Sequence, residues 1–162
     1  MTSPAPYAPR DGGCNCGRIR YRLLAEPLTC YICHCHLCQK RTGSAFSLSA
    51  VIRAEGGVEL LQGTPVVAER VTPSGAVNRN VVCPDCHSRI WTQRVGAPTL
   101  NLRAGTLDDP GDLRPVAQFW VSSAQPWAVL RDPDILTYAE QDADPAALRA
   151  AWRAARAARV SR

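Results

Sequence analysis

The sequence predicts a mainly β domain of antiparallel sheets closed by one C-terminal helix. Three observations carry that prediction. Short strand-like runs recur between turn residues along most of the chain. Proline (13) and glycine (11) are plentiful and aromatics make up only 6%, which favours many short elements joined by turns. Helical spacing is sustained only after residue 144. At 162 residues the chain has the length of one domain with a modest core.

Residues 1–11 contain three prolines and no periodicity, and read as a disordered leader. Ile19, Tyr21 and Leu23 then alternate with Arg18, Arg20 and Arg22, the pattern of a half-buried strand. Further strands are predicted over 46–52, 58–61, 66–71, 77–82, 89–93, 99–102 and 116–121. Gly43, Gly56, Gly57, Gly63, Gly75, Gly96 and Gly111 punctuate them. The last element, 141–162, is a helix packed on or trailing a β domain of residues 12–140. Asp144 is its candidate N-cap, and Pro145 suits the first helical position. Leu148, Trp152 and Ala155 follow at helical spacing, with Trp152 expected to dock on the body.

The net charge of +5 is concentrated in that helix, at Arg149, Arg153, Arg156, Arg159 and Arg162. These basic residues lack interleaved aromatics, so a solvated face explains them better than nucleic acid or a membrane surface. No run reaches the roughly 18 apolar residues of a membrane span. The first residues have no apolar stretch of the kind a secretory signal needs. A reducing cytoplasm is therefore the expected compartment, where closely spaced cysteines serve metal or redox chemistry rather than disulfides.

Seven of the eight cysteines fall into three clusters: Cys14 and Cys16; Cys33, Cys35 and Cys38; Cys83 and Cys86. A pair joined to a distant pair supplies the four thiolates of a closed tetrahedral zinc site. With zinc–sulfur distances of about 2.3 Å, the sulfurs must lie within about 4 Å of one another, which demands tight turns. Gly12, Gly13 and Gly17 flank the first pair, and Pro84 opens the turn of the second. A redox role for Cys83 and Cys86 wants a βαβ context that is absent. His87 is an alternative ligand, displacing one sulfur.

Cys33, Cys35 and Cys38 form a triple, and three protein ligands leave a position for water or substrate. His34 and His36 alternate with them as a fourth ligand, an acid or base, or supporting donors. In an extended segment both would point away from Cys33 and Cys35. Cys30 either completes a second four-sulfur site or is a small buried hydrophobe. Lys40 and Arg41 are a surface pair or an attraction for a carboxylate-bearing substrate.

Six fragments in order resemble the glutathione-dependent formaldehyde-activating enzyme family, which also includes centromere protein V. They are 13–17 (Gly-Cys-Asn-Cys-Gly), 33–38 (Cys-His-Cys-His-Leu-Cys), 43–46 (Gly-Ser-Ala-Phe), 83–88 (Cys-Pro-Asp-Cys-His-Ser), 105–109 (Gly-Thr-Leu-Asp-Asp) and Pro126-Trp127. The resemblance spans about residues 12 to 138. It implies a β-tent fold with two zinc ions per chain. Cys14, Cys16, Cys83 and Cys86 would hold a structural zinc, and Cys33, Cys35 and Cys38 a catalytic one. Cys30 has no counterpart in the motif. The implied activity is that of a carbon–sulfur lyase resembling S-(hydroxymethyl)glutathione synthase, which joins formaldehyde to the thiol of glutathione. Two departures stand out: many members carry glycine where His87 stands, and many carry histidine where Gln118 stands. Two other functions fit the same cysteines. One is a non-catalytic zinc module for a protein or nucleic acid; the other is a glutathione carrier without turnover.

Overall fold

Alternation along β2 (Arg20–Leu23) sorts the strand as the sequence predicts: Tyr21 and Leu23 are buried, while Arg20 and Arg22 are half-buried. This computed structural model describes residues 7–72 and 74–160, so residues 1–6 of the expected leader lie outside the described residues. The chain is mainly β, with antiparallel and parallel pairings and one long C-terminal helix. It divides into two compact units, a β-rich unit (7–27 and 50–112) and a helical unit (28–49 and 113–160). The chain passes between them at 27/28, within β4 (Ser47–Arg53), and at 112/113.

In the β-rich unit, β1 (Arg10–Gly13), β2 and β5 (Val58–Gln62) form an antiparallel sheet in the order β1-β2-β5. Strand β1 thus begins inside the stretch read as leader. A meander follows: β6 (Val66–Val71), β7 (Val77–Val82), β8 (Arg89–Arg94) and β9 (Thr99–Arg103), each antiparallel to the next. The β7–β8 register slips between Val81 and Val82, immediately before Cys83. Such a slip re-aims the chain at a strand end.

Tyr21 fixes the interior of this unit. Its ring meets Trp91 edge-on at 6.3 Å, and its hydroxyl shares a 2.8 Å hydrogen bond with Thr106 Oγ1. A Cβ on Gly12 would lie 2.5 Å from the Tyr21 ring, so only glycine fits there. Outward from β2, Arg18, Arg20 and Arg22 pair with Asp85, Asp108 and Asp11. The basic side of the alternation is thereby neutralised locally.

In the helical unit, β10 (Ala117–Phe119) lies between β3 (Thr29–Cys33) and β11 (Leu136–Thr137), parallel to both. Parallel pairing needs a long connection, and more than eighty residues separate β3 from β10. The register sets Ala117 opposite Tyr31 and Phe119 opposite Cys33. Strand β10 is shorter than the predicted 116–121, because Trp120 stands at φ 60° and a 3-10 turn, Val121–Ser123, follows. A second α-helix not foreseen in the sequence, α1 (His36–Thr42), continues from β3. The C-terminal helix, α2 (Pro145–Val160), starts as expected: the Ala146 N–H donates to Asp144 Oδ1 at 2.8 Å, and Trp152 is buried. Among the described residues no helix is long and apolar enough to cross a membrane.

Candidate metal centres

Two turns of the β-rich unit bring four thiols together. Cys14 and Cys16 sit on the turn after β1, where the Gly17 N–H donates to the Cys14 carbonyl at 3.1 Å and Gly17 takes φ 76°. Cys83 and Cys86 sit on the turn after β7. There the His87 N–H donates to the Cys83 carbonyl at 3.1 Å, and the Cys83 N–H to the Ser88 carbonyl at 2.9 Å. Closing that turn puts His87 at φ 58°, a left-handed conformation that glycine adopts without a steric cost. The His87 side chain is exposed and lies outside the thiol group.

The four sulfurs all lie within 4.8 Å of one another, with Cys14–Cys16 at 3.5 Å and Cys16–Cys83 at 3.8 Å. A tetrahedron of about 2.3 Å radius has edges of about 3.8 Å, so the donors are spaced for one metal ion. Neighbouring donors prepare the sulfurs. The Ile19 N–H donates to Cys14 Sγ at 3.2 Å. Ser88 Oγ lies 3.2 Å from Cys86 Sγ and also accepts from the Asn15 N–H at 3.2 Å, linking the two turns. The Ser88 hydroxyl and backbone pull the Cys86 thiol down to about 5. The Arg18 backbone pulls Cys16 down, but the Cys14 and Cys86 sulfurs outweigh it and push that thiol up to about 12. With Cys86 ionised first, the crowded Cys16 sulfur gives up its proton readily only beside a cation. One side of the group is open, lined by Cys16, Gly17, Arg18, Gln62 and Asp85.

The helical unit holds the second group, Cys33, Cys35 and Cys38, again within 4.8 Å. Cys33 ends β3, Cys35 is the N-cap residue of α1, and Cys38 lies in its first turn. The Cys35 sulfur takes the capping role, accepting from the Cys38 N–H at 3.4 Å. The segment therefore leaves the extended conformation at Cys35, which alters the expectation for the histidines. His36 opens the helix and is exposed. His34 is fully buried, its ring edge-on to Phe46 at 5.7 Å, with neither ring nitrogen hydrogen-bonded to a described residue. Burial pushes its pKa down, so the neutral imidazole is favoured.

Cys30 is fully buried and its thiol donates to the Leu113 carbonyl at 3.6 Å. It lies outside the three-thiol group, leaving that group with three protein sulfurs. Cys35, Cys38 and burial all push the Cys33 thiol up. For Cys35 the Cys33 sulfur acts downward, yet Cys38 and burial raise it overall. A sulfur-only donor set of this kind fits thiophilic metals.

Gln39 escaped the sequence reading, and Gln118 was noted there only as a departure from the family pattern. Gln39 follows Cys38 directly and turns its Nε2 to the His34 carbonyl at 2.6 Å and the Ser123 carbonyl at 2.9 Å. Adjacency to Cys38 was the only available signal. Gln118 is buried and clamps the chain after β10: Nε2 donates to the Leu130 carbonyl and Thr137 Oγ1, and Oε1 accepts from the Leu130 N–H at 3.1 Å. Lys40 and Arg41 occupy the last turn of α1, where cations suit the helix end.

Comparison with known proteins follows this geometry. A family described as "Glutathione-dependent formaldehyde-activating enzyme" matches residues 9–123, a stretch that contains both thiol groups. No curated protein matches the sequence. Among solved structures, a crystal structure of a Rhodobacter sphaeroides protein is similar at 20% identity, covering 67% of this chain and 98% of that one with a TM-score of 0.51. At that identity the likeness concerns the fold alone.

Proposed function

The chain belongs to the glutathione-dependent formaldehyde-activating enzyme family, and from that premise we propose that it is a zinc-dependent carbon–sulfur lyase of the S-(hydroxymethyl)glutathione synthase type. One observation carries the reading: Cys33, Cys35 and Cys38 converge without a fourth protein sulfur, since the Cys30 thiol turns to Leu113. A complete set of four serves the fold; a set of three leaves room for chemistry.

In this reading Cys14, Cys16, Cys83 and Cys86 hold a structural zinc, and Cys33, Cys35 and Cys38 hold a catalytic one. Bound there, zinc supplies Lewis acidity and lowers the pKa of a thiol or hydroxyl at the open position. The remaining work falls to the chain. Cys35 and Cys38 are held by the start of α1, and Gln39 fixes that start against the His34 and Ser123 carbonyls. The start of α1 thereby fixes two of the three sulfur donors relative to each other.

The reaction is an addition. The glutathione sulfur forms a bond to the formaldehyde carbon, the carbonyl π bond opens, and the thiol proton ends on the new hydroxyl oxygen. The lyase direction reverses each step, and no oxidation state changes. A reducing cytoplasm suits eight cysteines joined by no disulfide.

Exchange NMR on glutathione and formaldehyde tests the proposal directly. The protein should accelerate the exchange, and Cys35→Ser should abolish the acceleration while leaving the fold intact. Acceleration that survives in Cys35→Ser sinks the mechanism. Bound glutathione with an unchanged exchange rate identifies a carrier instead.

A further inference from the structure

The face of β3 and β10 that bears Cys33 is covered from two directions. Tyr31, Cys33, Ala117 and Phe119 share that face through the parallel register. Cys33, Ala117 and Phe119 make a buried cluster. Cys35 and Cys38 pack on it from the α1 side. Leu136, Tyr138, Ala143 and Leu148 pack on it from the C-terminal segment.

That segment is fastened at several points. The Tyr138 ring stacks on Phe119 with centroids 5.1 Å apart and planes 12° from parallel. The Tyr138 N–H donates to the Gln118 carbonyl at 3.0 Å, and the Trp120 N–H to the Glu140 carbonyl at 3.3 Å. Ser122 Oγ donates to the Ala139 carbonyl at 2.8 Å. Asp144 then caps α2, and the buried Trp152 anchors it. Leu148, in the first turn of this fixed helix, is held against the same apolar cluster as the thiols. Leu136, Tyr138, Ala143 and Leu148 lie beyond residue 123, outside the stretch that the family matches.

We infer that α2 and the strap before it form one wall of the three-thiol centre, and that Leu148 sets how large a group can reach Cys35 and Cys38. The packed interior makes this a size rule. Leu148 is half-buried against this cluster, and truncating it leaves space that its close-packed neighbours refill only in part. A pocket wall discriminates by about 10- to 200-fold for one methylene of fit. That the wall also selects the carbon partner of the reaction rests on the function proposed above. The wall itself does not.

Thiol labelling of the full-length protein as purified, read at each cysteine by mass spectrometry, tests the wall without turnover. The probes are iodoacetamide and a maleimide carrying a bulky fluorophore. Leu148→Ala should raise labelling of Cys35 and Cys38 by the bulky reagent about tenfold, with a smaller rise for iodoacetamide. Exposed Cys16, in the other unit, should keep its rate with both reagents. Leu148→Val, which removes a single methylene, should give the same pattern at reduced size and serves if the alanine variant does not fold. Unchanged rates at Cys35 and Cys38 overturn the proposal, and so does an equal rise at Cys16, which marks general loosening. In active protein, Leu148→Val should raise kcat/KM for a larger aldehyde relative to formaldehyde. If wild-type protein accelerates no adduct formation, the enzymatic reading falls while the labelling still decides the wall.

Discussion

The backbone N–H of His87 donates to the carbonyl of Cys83 across 3.1 Å, and closing that bond holds His87 at φ 58°. A left-handed conformation costs a side-chain-bearing residue about 1–2 kcal/mol. Glycine avoids that cost but loses about 0.5–1 kcal/mol through its greater freedom when unfolded. Strain relief exceeds that loss, so His87→Gly should stabilise the protein by up to about 1 kcal/mol. His87→Val should destabilise it by about 1–2 kcal/mol, since a β-branched residue is poorly suited to positive φ. Denaturant midpoints of metal-saturated protein give both numbers, and a stabler valine variant would contradict the account.

The two thiol groups should respond differently to loss of one sulfur. Purified protein is expected to carry two zinc ions, one for each group. Cys83→Ser should unfold the β-rich unit, because structural zinc contributes about 10–16 kcal/mol where total stability is only about 5–15 kcal/mol. Cys35→Ser should lose one zinc with the far-ultraviolet dichroism unchanged. Metal analysis alongside circular dichroism separates the outcomes, and an unfolded Cys35 variant would show that the second group also holds the fold.

Gln39 joins the start of α1 to the segment after β10 through two carbonyls. Gln39→Ala leaves both acceptors without this donor, at a cost of about 1–3 kcal/mol. Its sharper effect should be on metal retention at Cys33, Cys35 and Cys38. Chelator competition should show one of two zinc ions leaving faster, with the other unchanged. Two equally accelerated phases would mean that Gln39 serves only general stability.

Acid should weaken one part of the surface network in a defined window. The Arg22 guanidinium holds the Asp11 carboxyl below its ordinary 3.8, and Arg20 does the same to Asp108. A carboxyl with a lowered folded pKa binds fewer protons folded than unfolded. Its stabilisation is therefore whole above about pH 5 and is lost as pH falls through the folded value. Both groups face solvent, so the effect is small. Asp11→Asn combined with Asp108→Asn should lower the urea midpoint slightly at pH 6, and the gap to wild type should close as the pH falls through the lowered folded values. A gap that widens in acid would reverse the sign of the argument.

The elements that announced themselves in the sequence were those with a periodic face or a metal spacing. Strands β6 and β7 follow the predicted 66–71 and 77–82, and α2 begins at its predicted cap. The cysteine clusters fall into the two expected groups because donor spacing is a local constraint. Strand β3 was hidden because four of its five residues are buried, which erases alternation. Helix α1 was hidden for the opposite reason: it buries no residue and is capped by a thiol rather than a serine or aspartate. The parallel pairing of β10 was also out of reach, since nothing local tells a strand which distant edge it will join.

The spacing of the two thiol groups also gives the chain a timetable during synthesis. Cys33, Cys35 and Cys38 leave the ribosome almost together and need no distant partner to complete their set. Cys16 must wait for Cys83, 67 residues later by their numbers. At 5–20 residues per second that is a delay of roughly 3–13 s. The local trio can therefore be filled while the growing chain still lacks the second half of its long-range clasp.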